Sequence, residues 1–208
     1  MRCRRQRGLT LIELVIALSL VGALLAIMFS GLRVGLTAWS RGEDRAELLE
    51  HERNIEQLVA RTLSGSFPYR DRAGTGSENK TGLLFQGVSE RLAFVTAAPP
   101  VPSSSVPIAF TAVTFSLESG VRPGLAMRQK ALPNLDPFEP VEPIFVDPAV
   151  TALRFRYRRE VGDPWEERWD ATKETALPLA VEVTLTTLFG GRRIDHPPLI
   201  IPIRVIPS

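Results

Sequence analysis

The fold of this chain is decided by its N-terminal stretch, residues 7–18, which reads Arg-Gly-Leu-Thr-Leu-Ile-Glu-Leu-Val-Ile-Ala-Leu. Between Gly8 and Leu32 the only charged residue is Glu13, and Arg33 ends the apolar run. In a helix that rises about 1.5 Å per residue, about 20 apolar residues span the hydrocarbon core of a bilayer. The run therefore predicts one transmembrane helix.

Two features distinguish this run from a generic membrane span. Four arginines precede it within residues 1–7, and such a cluster favours a cytoplasmic location for that end. Glu13 lies near the start of the run, and a charge at membrane depth is costly enough to indicate a function. The alternative is that Glu13 lies shallow, near the lipid headgroups, and is merely tolerated.

The segment Gly8-Leu9-Thr10-Leu11-Ile12-Glu13 resembles the type III signal of the type IV pilin and pseudopilin superfamily. The resemblance implies that a prepilin peptidase cleaves between Gly8 and Leu9 and that the new amino terminus is methylated. Glu13 then becomes the fifth residue of the mature chain, as the family requires. Leu9 departs from the pattern, because the family usually has Phe there.

A second resemblance lies near the C terminus. Trp169, a spacer and then residues 177–185, Leu-Pro-Leu-Ala-Val-Glu-Val-Thr-Leu, are similar to J-type minor pseudopilins of type II secretion systems, as is the arginine-rich segment 153–158. The resemblance implies a structural protein, not an enzyme, that assists export across the outer membrane from the tip of a pseudopilus. It implies a single-pass inner-membrane protein with a periplasmic head.

The partners that the resemblance implies are I-type and K-type minor pseudopilins, the major pseudopilin, prepilin peptidase and the membrane. In the fibre the apolar helices of neighbouring subunits pack together. Glu13 can then pair with the N-terminal amine of a neighbour, which offsets the cost of burying two charges.

Composition narrows the remaining possibilities. The 208-residue chain has a formal net charge of +2, and removal of residues 1–8 with their four arginines leaves about −2. This argues against nucleic acid as a partner, which requires a basic patch on the folded domain. The single cysteine, Cys3, lies in the leader, so the mature chain has no disulfide, thiolate metal site or cysteine nucleophile.

Four segments are predicted: a cleaved leader (1–8), a transmembrane half of helix one (9–32), an amphipathic half (33–64) and a β-rich globular head (65–208). Apolar residues of the amphipathic half, among them Ile55, Val59 and Leu63, recur at helical spacing and suit packing on a soluble domain. Ser64-Gly65-Ser66 and Pro68 are expected to stop the helix.

The head is predicted to be mostly antiparallel β, which gives an α+β fold with a long helix packed on the sheets. Apolar residues alternate with polar ones at 153–158, 181–186 and 199–205. Further short strands are expected at 83–85, 92–95, 108–117, 125–130 and 144–146. The apolar phase slips between Phe110 and Val113, which predicts a bulge or a bend. Residues 70–82 and 133–143 are predicted loops.

The head offers little that predicts chemistry. His51 and His196 are expected to be solvated rather than to converge, and Gly74-Thr75-Gly76 lacks the context of a phosphate-binding loop. Prolines separate four carboxylates, Asp136, Glu139, Glu142 and Asp147. We interpret them as surface acids rather than as a calcium site. Trp165 and Trp169 are assigned to packing, with an interface contact as the alternative. No catalytic, cofactor or metal site is predicted.

Two other functions remain open from the sequence. A minor pilin of a type IV pilus has the same N-terminal signal, although the lack of a C-terminal disulfide argues against it. A membrane-anchored periplasmic enzyme or binding protein would need a polar constellation in the head, and the sequence shows none.

Overall fold

The structure is a computed structural model that describes residues 10–71, 82–101, 109–170, 174 and 176–203. Gly8 and Leu9 therefore lie outside the described residues, as do Gly74-Thr75-Gly76. The chain divides into two compact units, Met1–Glu52 and Arg53–Ser208.

One long helix, α1 (Leu11–Ser64), opens the fold. Thr10 caps its start, because the Thr10 Oγ1 accepts a hydrogen bond from the Glu13 amide at 3.4 Å. At the other end the Gly65 amide donates to the Arg61 carbonyl at 3.3 Å and the Ser66 amide to the Leu63 carbonyl at 3.0 Å. The predicted stop after residue 64 is confirmed.

The last turns of α1 belong to the core of the second unit. Ile55, Val59 and Leu63 are buried there, and Leu58 packs beside them. These residues recur every three to four positions, so one face of the helix supplies them all. Leu49, an apolar residue earlier in the predicted amphipathic half, is exposed.

The strands of the described chain are short and all pair antiparallel. In chain order they are β1 (Arg70–Asp71), β2 (Gly82–Leu83), β3 (Phe85–Val88), β4 (Arg91–Thr96), β5 (Thr111–Glu118), β6 (Gly124–Ala131), β7 (Phe145–Asp147), β8 (Val150–Arg158), β9 (Ala180–Phe189), β10 (Arg192–Asp195) and β11 (Leu199–Pro202). A long apolar helix followed by antiparallel strands confirms the α+β prediction.

Two sheets carry most of these strands. The first has the order β3-β4-β5-β6-β7, so every strand pairs with its sequence neighbour. In the second, β9 is central, with β8 on one side and β10 and β11 on the other. Large apolar side chains from both sheets, such as Phe94, Phe115 and Phe155, enter one core cluster with the end of α1.

The two sheets are joined at Gly87. The Gly87 amide donates to the Trp169 carbonyl at 3.1 Å, and the Trp169 amide donates back to the Gly87 carbonyl at 2.8 Å. The Tyr157 ring lies directly over Gly87, and its hydroxyl donates to the Val88 carbonyl at 3.2 Å. A glycine is required here because any Cβ would overlap the ring.

Residues 132–143, the strap, follow β6 and are irregular as predicted. Three cations of the first sheet bond to strap carbonyls: Arg91 to Phe138 at 3.0 Å, Arg128 to Val141 at 2.7 Å and Lys130 to Asp136 at 2.8 Å. The strap therefore lies along the sheet face that points away from the core cluster.

The bulge, one of the two explanations predicted for the phase slip near Phe110 and Val113, is absent from the described strand β5. β5 pairs without interruption from Thr111 with both β4 and β6, while a register shift occurs in β8 between Val150 and Ala152. β5 is buried on both faces over residues 111–116. Its sequence need not alternate because the core covers one face and the strap lies along the other.

Two further differences concern hairpins. A two-residue turn at Gly190 and Gly191, with φ of 55° and 77°, connects β9 to the unpredicted strand β10. Such turns need positive φ at both positions, which glycine adopts without strain. The ends of the predicted loop 70–82 also pair, as Arg70–Asp71 with Gly82–Leu83.

Thr96 fastens the end of α1 to β4, and this contact can be tested. Its hydroxyl donates to the Thr62 carbonyl at 2.9 Å and accepts from the Ala98 amide at 3.0 Å. We predict that Thr96→Val lowers the free energy of unfolding by about 1–3 kcal/mol, because the buried Thr62 carbonyl and the half-buried Ala98 amide each lose a hydrogen bond. Urea unfolding of the full chain in detergent measures the change. Thr184→Val, on a half-buried strand position, is the control and should change it by less than about 0.5 kcal/mol.

Candidate functional site

The carboxylate singled out by the sequence, Glu13, lies in the first turn of α1. Its backbone amide is held by Thr10, and the Leu14 amide donates to the Thr10 carbonyl at 3.2 Å. A negative side chain is favourable at this end of a helix because the unpaired amides carry a partial positive charge. Glu13 thus also supports the start of the helix, a role that sequence reasoning missed although Thr-x-x-Glu is a capping signature.

The Glu13 side chain is exposed and makes no hydrogen bond or ion pair with the described residues. The helix around Glu13 is uncovered as well. Leu11–Trp39 is long and apolar enough to cross a membrane, and none of its most apolar stretch is buried within the protein. An uncovered apolar surface of this size requires lipid or other helices around it. The segment can therefore insert in a bilayer or pack in a helix bundle.

The two histidines lie in different units. The His196 Nε2 is 2.8 Å from the Thr187 hydroxyl, and the His196 amide donates to the Leu185 carbonyl at 3.0 Å. These bonds hold the turn after β10 against β9. His51 lies within α1, in the first unit. His196 is thus a turn residue of the second unit, and His51 is a helix residue of the first.

The four acids considered for calcium do not form one site. Asp136, Glu139 and Glu142 are exposed on the strap, whereas Asp147 is buried at the end of β7. The Asp147 Oδ1 accepts from the Ala149 amide at 2.9 Å, which shapes the turn into β8. Among the described residues no group of three or more potential ligands is placed to hold a metal ion.

The tryptophans have different surroundings. Trp169 is only 3% exposed, and its ring lies 6.4 Å from that of Tyr157 in the core. Trp165 is half-buried, with the Arg158 guanidinium carbon 4.1 Å from the centre of its ring. Trp169 therefore fits the predicted packing role, and Trp165 forms a cation–π contact at the sheet surface.

Ion pairs lie on the outer faces of both sheets. Glu182, nearly buried on β9, pairs at 2.5 Å with Arg156, which faces it across the β8–β9 ladder. Arg128 pairs with Glu118 at 2.8 Å. The hydrogen bond from Arg128, together with that from Ser116, holds the pKa of the Glu118 carboxyl below its usual value. Sequence reasoning missed both pairs, because each depends on the strand register.

Comparison with known proteins gives three findings. A family model described as type II secretion system protein J matches residues 30–194. A model described as the prokaryotic N-terminal methylation motif matches residues 3–29. The type II secretion system protein J of Xanthomonas campestris pv. campestris is 33% identical over 95 residues, which cover 46% of this chain and 44% of that relative.

Proposed function

The chain belongs to the family of protein J of type II secretion systems, and we propose that it acts as a minor pseudopilin in such a system. The observation that carries this proposal is the continuous match of two models, the methylation motif over 3–29 and the J family over 30–194. The family is structural, and the proposed role is assembly rather than catalysis.

The N-terminal signal supports processing by a prepilin peptidase between Gly8 and Leu9. Cleavage there removes four arginines and places Leu9 at the new amino terminus. The motif that matches residues 3–29 is a methylation motif, which supports methylation of that terminus. Glu13 is then the fifth residue of the mature chain.

The exposed apolar helix suits two successive environments of this subunit, first the membrane and then the pseudopilus. In the membrane, Leu11–Trp39 contacts lipid as a single span, with the basic leader on the cytoplasmic side and the head in the periplasm. In the pseudopilus the same surface packs against the helices of other pseudopilins. We assign the I-type and K-type minor pseudopilins and the major pseudopilin as its partners.

Glu13 has a proposed role when the subunit moves from the membrane into the pseudopilus. Its carboxylate has no partner among the described residues, so it is available to a neighbouring subunit. A neighbour's N-terminal amine supplies a positive charge of matching size, and pairing offsets the desolvation of both groups when the helices pack.

Processing tests this proposal directly. We expect the chain produced with prepilin peptidase to lose residues 1–8 and gain one methyl group, as measured by the intact mass of the membrane-extracted protein. Gly8→Leu should abolish cleavage, because the peptidase must approach a backbone without a side chain.

Gly22→Ala is the matched control for Gly8→Leu. No atom lies within 4 Å of a Cβ built at Gly22, so this glycine replacement should leave processing unchanged. A wild-type chain that keeps residues 1–8 in the presence of active peptidase would contradict the proposal.

A further inference from the structure

The second charge in the membrane helix, Arg33, has no role in the proposed function so far. Its guanidinium is exposed and makes no hydrogen bond or ion pair with the described residues. Arg33 ends the uncharged run, but the helix long and apolar enough to span continues beyond it to Trp39. An unpaired cation in such a segment needs either water or an anion.

The length of the segment limits where Arg33 can lie. Its 29 residues extend about 44 Å as a helix, whereas the hydrocarbon core is about 30 Å thick and the bilayer with its headgroups about 40–45 Å. The segment is therefore longer than the hydrocarbon requires. At least one end must lie among the headgroups.

The positions of the two charges indicate which part of the segment lies in the hydrocarbon. Glu13 and Arg33 are 20 positions apart, which is about 30 Å along a helix and equals the hydrocarbon thickness. Only one placement of a helix normal to the bilayer keeps both charges out of the hydrocarbon: Glu13 at the cytoplasmic boundary and Arg33 at the opposite one. Trp39, 76% exposed, then lies about 9 Å further out, among headgroups, where tryptophan is enriched.

The surroundings of Arg33 suit a lipid headgroup. Arg33 and Thr37 are one helical turn apart and, with Val34 and Ala38, form an exposed patch on one side of the helix. The Thr37 hydroxyl donates to the Arg33 carbonyl at 2.8 Å, a backbone contact that does not involve the guanidinium. Phosphate is the anion that membranes present at this depth, and the planar guanidinium binds it with paired hydrogen bonds.

We propose that Arg33 binds the phosphate of an outward-facing phospholipid and thereby sets the depth of α1 in the membrane. This inference rests on the proposed membrane span. It predicts a helix register defined by Arg33 and Glu13. The competing register places the boundary at Trp39, six residues later, and leaves the Arg33 guanidinium to reach outward through hydrocarbon.

An environment-sensitive fluorophore on single cysteines measures the register. The only natural cysteine, Cys3, lies before the proposed cleavage site, so the mature chain accepts single labels at Met28, Leu32 or Leu36. In phosphatidylcholine vesicles we expect lipid-like emission from labels at residues 28 and 32 and the more polar emission of the headgroup layer at residue 36. Arg33→Leu should change the emission at residue 36 to lipid-like, which means that the boundary moves outward by at least one turn.

Control variants separate the charge from other effects. Arg33→Lys should retain the wild-type register, because an ammonium also binds phosphate. Arg53→Leu removes an exposed arginine outside the span and should leave every emission unchanged. A wild-type label at residue 36 in lipid, or the same boundary in wild type and Arg33→Leu, would overturn the proposal.

Lipid composition tests for phosphate itself. In vesicles of digalactosyldiacylglycerol, a bilayer lipid without phosphate, the wild-type register should approach that of Arg33→Leu. An undiminished difference would show that water or another anion, such as a partner's carboxylate, keeps Arg33 at the boundary. Failure of all labels to enter lipid would instead refute the proposed membrane span, so the two failures are distinguishable.

Discussion

Glu13→Val should abolish incorporation of this subunit into the pseudopilus while its membrane level and cleavage after Gly8 remain normal. Valine makes the helix more apolar, so insertion should be unharmed. Cleavage should persist because Gly8 and Leu9 are unchanged. Assembly should fail because a neighbour's buried amine loses its partner, a loss that costs about 3–5 kcal/mol.

The measurement compares the subunit in sheared or detergent-extracted pseudopili with the subunit in membranes. Glu13→Gln is an informative second variant, because it preserves size and polarity and removes only the charge; it should fail to assemble as well. Glu50→Gln makes the same charge change at an exposed helical position outside the span and should assemble normally. Full assembly of Glu13→Val would show that contacts of the head alone recruit this subunit.

Gly87→Val should unfold the second unit or lower its free energy of unfolding by about 4 kcal/mol or more. A Cβ at residue 87 would lie 2.2 Å from the Tyr157 Cζ and 2.3 Å from its hydroxyl. The ring cannot withdraw, because Tyr157 is fully buried and its hydroxyl bonds to Val88. Overpacking alone commonly costs about 1–3 kcal/mol, and here the paired backbone bonds with Trp169 would be strained too.

Near-ultraviolet circular dichroism during urea unfolding follows this change, because Tyr157 and Trp169 lie in the affected core. Gly82→Val is the control, since nothing lies within 4 Å of a Cβ built there. Replacing the ring as well, in Gly87→Val with Tyr157→Leu, should cost less than the sum of the two single changes. An additive double variant would show that the overlap with Tyr157 is not the cause.

The parts of the fold that the sequence predicts are those with a local, one-sided signal. α1 is recognisable because Ile55, Val59 and Leu63 repeat at helical spacing and Ser64 precedes a glycine and a proline. β8 alternates because only one of its faces enters the core. In these elements the residue pattern and the burial pattern agree.

Prediction fails where a distant segment changes the surroundings of a strand. The bulge assigned near Phe110 came from a missing alternation, but β5 lies between the core and the strap, so both of its faces favour small or apolar residues. Strand β10 is a different case. Its signal, Gly190-Gly191, was local and readable, and a two-glycine turn is a recognised hairpin feature.

The candidate site also has residues that the sequence identifies and contacts that it does not. Glu13 and Arg33 stand out from sequence because each is a lone charge in an apolar run. The pair Arg156–Glu182 and the contact of Gly87 with Tyr157 depend on strand register and on which segments meet. No local pattern carries that information.

The central claim, that this chain is a minor pseudopilin of a secretion system, is tested most directly by export from its own host. The measurement is the amount of secreted protein in the medium and in the periplasm after in-frame deletion of the gene. The account predicts that exported proteins accumulate in the periplasm, and that the wild-type chain but not Glu13→Val restores export. Normal export combined with loss of surface pili would contradict it and assign the chain to a type IV pilus.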